Sequence, residues 1–275
     1  MQPLASFKSD HQPSRPFDAL LYSTDVAAII EMLLHTTQAT LGEKLIGLYL
    51  RGSVATGDFD PVTSDIDFFT VVDQRVSATD FVDLAAMHTT LAQLPNRYAQ
   101  QLEGCYIERS AVQHFLPGQR YPTIARGELL AWSQHDYNWL LERWVVRERG
   151  ITLIGPPPQT LIAPISADAL RNAVRLRLPV WAAWANQPDD PDWSLPRSHK
   201  AYVIETMCRA LYTMAHGTLV SKPVAMAWAC VTLPEPWRST AERAQAWHAD
   251  TTDDPTILPV VRDFVLWTAA QMEEA

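Results

Sequence analysis

The chain has few cysteines, no excess of positive charge and no long apolar run. Its 275 residues include three cysteines, Cys105, Cys208 and Cys230. An odd number without disulfide or zinc spacing excludes a disulfide framework and a zinc module, and fits reduced thiols. Lysine and arginine number 22 against 31 aspartates and glutamates, a formal net charge of −9. Affinity for a large nucleic acid comes chiefly from basic side chains on phosphates, so no nucleic-acid partner is expected. A small cationic partner suits this balance better. No stretch approaches the ~20 apolar residues of a membrane span, and the first residues carry Lys8, Asp10 and Arg15 without an apolar leader. Internal repeats and low-complexity tracts are missing as well. These absences lead to the expectation of a cytoplasmic monomer with no membrane partner. The length and the 47% hydrophobic content are enough to fill two domains of ordinary size.

What is present concentrates between Leu45 and Asp73, LIGLYLRGSVATGDFDPVTSDIDFFTVVD. Two apolar runs, Leu45 to Leu50 and Ile66 to Val72, have the length and composition of buried strands. Gly52-Ser53 follows the first directly, and Asp65 and Asp67 open the second. Side chains alternate across a strand, so these two carboxylates share one face, with Ile66 and Phe68 on the other. That predicts one charged face and one apolar face. Two close like charges raise one pKa strongly unless a cation lies between them. Magnesium is held by one or two carboxylates together with water and substrate phosphates, so the pair implies a metal. Glycine permits close backbone approach, and amides at the start of a short helix near Ser53, with the Ser53 hydroxyl, suit a phosphate. Alone, an Asp-x-Asp is more often a strand-start cap. Between two apolar strands and after a Gly-Ser, it describes a cradle for a metal and a triphosphate.

This segment resembles the signature of the nucleotidyltransferase (polymerase beta-like) superfamily, in which Gly-Ser, a spacer of about ten residues and Asp-x-Asp occur in that order. More closely, the chain is similar to the aminoglycoside 3''- and 9-adenylyltransferases of streptomycin and spectinomycin resistance. The resemblance implies a third carboxylate on a following strand, acting as general base. Glu103 and Glu108, in Leu102 to Glu108, compete for that role, and the match favours Glu103. It extends to Met207-Cys208-Arg209-Ala210-Leu211-Tyr212, Gly217 and Val220-Ser221-Lys222, where the family's arginine and lysine bind nucleotide phosphates. Arg209 and Lys222 are the corresponding candidates. By resemblance, then, Asp65, Asp67 and Glu103 are catalytic and Asp65 and Asp67 hold Mg2+. Gly52, Ser53, Arg209 and Lys222 bind ATP, the co-substrate. The tryptophan and the acid expected of enzymes acting on streptomycin correspond to Leu129 and His199 here. That departure favours a spectinomycin-like acceptor. A protein acceptor and a non-catalytic nucleotide sensor are the alternatives.

The remainder follows from periodicity. Proline-bearing residues 1–22 read as an arm. A helix capped by Ser23 or Thr24 carries Val26, Ile29, Ile30, Leu33 and Leu34 on one stripe, and another opened by Ser77 or Thr79 carries Phe81, Leu84, Met87, Leu91 and Leu94. Residues 117–127 read as a loop over the site, and Glu128 to Arg149 as a helix, on which His135 and Asp136 diverge too far to act as a dyad. Gly155-Pro156-Pro157-Pro158 breaks the pattern. Beyond it every periodic segment is helical, including a long helix from Ser198 to His216. The expected fold is α+β: a nucleotidyltransferase domain with a small mixed sheet over residues 1–157, then an all-α bundle over 158–275. Glu128, Glu205, Trp132, Trp181 and Trp184 are candidates for lining an acceptor pocket.

Overall fold

The computed structural model describes residues 24–273; the arm expected over residues 1–22 lies outside them. The first half is a six-stranded mixed sheet, in the order β5-β4-β3-β2-β1-β6. Its strands are β1 (Leu45–Leu50), β2 (Ile66–Val72), β3 (Leu102–Glu108), β4 (Gln119–Ile124), β5 (Ala131–His135) and β6 (Ile151–Ile154). The β2–β3 pair is parallel, joined by a crossover through helix α3 (Ala78–Ala92), and the other pairs are antiparallel. Helices α1 (Thr24–Leu41) and α3 cover one face of the sheet. Val26, Ile29, Leu33, Leu84 and Leu91 there meet Leu48, Ile66 and Phe68. Ser77 caps α3 in a reciprocal capping box with Asp80.

The opposite face is apolar too. Tyr49, Phe69, Val71, Cys105 and Ile107 pack there against Trp139 and Val146 of helix α5 (Tyr137–Arg149). Strand β2 is consequently buried along its whole length. The charged face expected of it is confined to its first residues, because helices cover both sides of a central strand.

Two segments differ from the sequence expectation. The loop expected over 117–127 contains strand β4, and the helix expected from Glu128 begins only at Tyr137, after strand β5. Trp132, Trp139 and Leu140 fit helical spacing, yet pairing with β4 decides the conformation. His135 therefore ends a strand. It lies buried, stacked on Trp139 with ring centroids 3.6 Å apart and bonded to Thr123 Oγ1 at 2.9 Å.

The second half is helical: α6 (Ala167–Ala185), α7 (Arg197–His216), α8 (Lys222–Thr232), α9 (Trp237–Gln245) and α10 (Leu258–Glu273). Their core is built on Val174, Leu178, Ile204, Met207, Ala225 and Phe264. Leu161 and Ile162, after the proline run, still pack into the sheet half. Val145 of α5 meets Leu170 and Leu219, so α5 serves both halves. Among the described residues no helix is long and apolar enough to cross a membrane.

Candidate active site

The site gathers where β1 and β2 meet the start of β3. Strand β1 ends at Leu50, and Arg51 is the N-cap of a short helix, α2 (Gly52–Thr56). Gly52 has φ +61°, and a Cβ there would lie 1.9 Å from Asp67 Oδ2, so only glycine lets the backbone pass this carboxylate. The Ser53 hydroxyl is buried and has no hydrogen-bond partner. A buried, unpaired hydroxyl at the start of a short helix suits a ligand-binding position.

The parallel register places Asp67 directly opposite Glu103 on β3. Glu108 lies opposite Val72 at the far end of the same pair, about 16 Å away at ~3.3 Å per residue, where Arg75 approaches it at 3.8 Å. Burial pushes the Asp67 carboxyl up to about 8; Arg51 pulls against this, while Asp65, Glu103 and Glu142 add to it. Glu103 is likewise raised, first by burial, with Arg51 opposing.

Arg51 is the site residue that sequence reasoning missed. Its guanidinium is buried, with Nη1 2.8 Å from Asp67 Oδ1 and 2.8 Å from Glu142 Oε2, and Nη2 3.4 Å from Glu103 Oε1. Burial alone would lower its pKa, but the three carboxylates outweigh that and raise it. A cation inside the carboxylate cluster was attributed to a metal alone; the chain itself supplies one. The available signal was an arginine placed between an apolar strand and a Gly-Ser, where strand-end arginines are ordinarily solvated. Glu142, on α5, gave no signal at all.

Among the described residues no three acidic, histidine or cysteine side chains stand together as a ready metal cage. The candidate donors would be Asp65 and Asp67, with the unpartnered Ser53 hydroxyl at the start of α2, and two carboxylates completed by phosphate and water are what magnesium takes. These residues fit the ion.

In the helical half, Arg209 on α7 is half-buried, its Nε without a partner, and Lys222 begins α8. Lys222 Nζ is 3.7 Å from Glu205 Oε2 and 4.6 Å from the ring centre of Tyr202. Tyr202, exposed on α7, is within electrostatic reach of Glu103, Arg177 and Arg209. Arg177, a further cation that the sequence did not single out, is lowered by burial and feels Glu142 and Arg209. A second link crosses the halves: Thr63, two residues before Asp65, bonds His248 Nε2 at 2.8 Å, and His248 Nδ1 meets Glu205 Oε1 at 2.8 Å.

The proposed pocket residues divide. Glu205 is buried in that link, Trp184 stacks on Trp193 at 4.0 Å and meets Trp181 edge-on within the bundle, and Trp132 stacks on Phe81 at 5.6 Å beneath Arg75. Trp132 belongs to the sheet's packing, away from the carboxylates. Glu128 is exposed in the turn before β5.

The fold and this motif at the ends of β1 and β2 are those of a nucleotidyltransferase, and residues 39–110 match the nucleotidyltransferase domain. Residues 160–266 match the C-terminal domain of aminoglycoside adenylyltransferases. The chain belongs to the nucleotidyltransferase superfamily as an aminoglycoside adenylyltransferase-like enzyme. It is 23% identical to an aminoglycoside (3'') (9) adenylyltransferase of Escherichia coli over 84% of this chain and 85% of that one. It is 25% identical to a spectinomycin 9-adenylyltransferase of Campylobacter jejuni over 78% of this chain and 83% of the other. The fold is shared with the spectinomycin adenyltransferase AAD(9) from Enterococcus faecialis, crystallised with ATP and spectinomycin, at a TM-score of 0.72 and 16% identity, covering 90% of this chain and 99% of that one.

Proposed function

We propose that the enzyme transfers AMP from Mg-ATP to a hydroxyl of a small cationic aminocyclitol or aminoglycoside, spectinomycin-like in preference to streptomycin, and releases pyrophosphate. The observation that carries this is the pairing of Asp67 with Glu103 beside Gly52, with Tyr202 within electrostatic reach of both Glu103 and Arg209 and under the Lys222 ammonium. The relatives named above support the acceptor class. Leu129 and His199, at the positions where a streptomycin-using enzyme is expected to carry a tryptophan and an acid, support the preference within it.

Asp65 and Asp67 would hold Mg2+, which when bound supplies charge neutralisation at the reacting phosphate oxygens. Glu103 accepts the proton of the acceptor hydroxyl as that oxygen bonds to the α-phosphorus; the bond to the β-phosphate oxygen breaks and pyrophosphate leaves with the electron pair. Arg51 touches only Oε1 of Glu103, so Oε2 remains open for that proton. The Gly52 and Ser53 amides and the Ser53 hydroxyl bind the β- or γ-phosphate, and Arg209 and Lys222 neutralise the charge that builds on pyrophosphate. The acidic wall also attracts a cationic acceptor.

The test is pyrophosphate release from Mg-ATP over a panel of spectinomycin, streptomycin and other aminoglycosides, with Asp67→Asn as the blank. Release with spectinomycin and not streptomycin is expected. Release with no acceptor on the panel, despite nucleotide binding, would remove the antibiotic as substrate and favour a different acceptor or a sensor.

A further inference from the structure

The guanidinium of Arg51 occupies the space in which an ion bridging the two strands' carboxylates would bond. Magnesium binds carboxylate oxygen at about 2.0–2.1 Å. An ion shared by Asp67 and Glu103 would need the inward oxygens of both, and Nη1 and Nη2 of Arg51 already face Asp67 Oδ1 at 2.8 Å and Glu103 Oε1 at 3.4 Å. Guanidinium and ion cannot share that gap. Nor is Arg51 free to withdraw. Its side chain is 5% exposed, Glu142 holds Nη1 from α5 at 2.8 Å, the Trp139 ring lies 5.6 Å from Cζ, and its backbone N–H donates to Asp67 O at 2.9 Å. An arginine does not lose its charge in a protein, so the positive charge there is permanent.

Enzymes that displace one phosphate oxygen with another commonly use two metal ions, one on the attacking and one on the leaving oxygen. Resting on the function proposed above, we propose that Arg51, anchored by Glu142, is a positioning residue that takes the place of one of these ions. The site then binds a single divalent ion, at Asp65 and Asp67, together with the nucleotide. Glu103, kept off any metal by the guanidinium, stays available as the base. Arg51 acts through the carboxylates and touches neither substrate.

The experiment counts Mn(II). The full chain is dialysed to equilibrium against Mn(II) and α,β-methylene-ATP, and protein-bound ions are quantified by electron paramagnetic resonance, with the nucleotide alone as the background. The expected count is about one ion per chain, rising to about two in Arg51→Met, where the bridging position opens. Because Arg51→Met leaves facing carboxylates uncompensated, Arg51→Met/Glu142→Gln serves as a second variant, with the same rise expected. A count of about two in the unaltered chain, or of about one in variants that fold and bind the nucleotide, overturns the proposal while leaving the metal-dependent transfer intact. No bound Mn(II) in the unaltered chain overturns both.

Discussion

Asp67 belongs to a sheet wall and Lys222 to a helical wall that also carries Tyr202, and they are held in opposite ways. Asp67 is fixed by the ladder of β2, by Gly52 pressed against it and by Arg51, with an 11% exposed side chain. Lys222 is 35% exposed and tied only by a 3.7 Å contact to Glu205 and the face of Tyr202. The sheet wall is therefore preset: each carboxylate sits where backbone pairing places it, and burial charges a cost that shows as raised pKa values for Asp67 and Glu103. The helical wall is tethered loosely by interactions that a phosphate can replace. On the function proposed above, one wall supplies geometry for the reaction and the other supplies charge that adapts to the ligand.

The largest test of this contrast is Asp67→Asn. Transfer should fall by at least ~10³-fold, about 4 kcal/mol of transition-state stabilisation. Thermal stability of the metal-free protein should hold or rise, because a buried carboxyl with a raised pKa is replaced by a neutral amide. A variant that keeps full activity would show that the sheet wall is not the catalytic one.

The sheet half should also respond to acid. His88 is buried under the sheet, bonded to the Tyr106 hydroxyl at 2.8 Å, and burial pulls its pKa down from 6.5 to about 4. The unfolded chain takes up this proton and the folded chain does not, so stability is lost as the pH falls from 6.5 toward 4, by about 3 kcal/mol at most. Urea unfolding followed across that range should show the loss, and His88→Leu/Tyr106→Phe, which removes both polar partners, should flatten it. An unchanged slope would place the acid sensitivity elsewhere.

Smaller effects belong to the helical wall. Arg209→Ala and Lys222→Ala should each raise the KM for ATP roughly tenfold, about 1–2 kcal/mol, with a lesser effect on kcat. Steady-state kinetics read this directly, and a loss as deep as that of Asp67→Asn would erase the distinction between the walls. His248→Ala, which cuts the link from Thr63 to Glu205, should cost about 1 kcal/mol of stability in denaturant unfolding. If it left stability untouched, that crossing bond would be incidental.

Much of this was legible in the residues. The apolar runs around Gly52-Ser53 and Asp65-x-Asp67 become β1 and β2, and the stripes of α1 and α3 lie on their buried faces, because hydrophobic period is a local property. Strands β4 and β5 were not legible. Trp132 and Trp139, seven residues apart, obey helical spacing, and only hydrogen bonding to a neighbouring strand makes Ala131–His135 extended. The same limit applies to Arg51, whose role appears when β2, β3 and α5 each bring a carboxylate to it.

By itself, the sequence determined the strand–turn–strand carrying the acidic pair, the helical second half and the superfamily, since each is written in short spacings that local geometry obeys. Tertiary structure decided which glutamate stands beside Asp67, that a guanidinium lies among the carboxylates, and that Glu142 holds it there. Those depend on strand register and on residues 52 and 91 positions distant from Arg51 meeting in space. Long-range contacts of that kind are selected by packing the whole chain, and no local pattern encodes them.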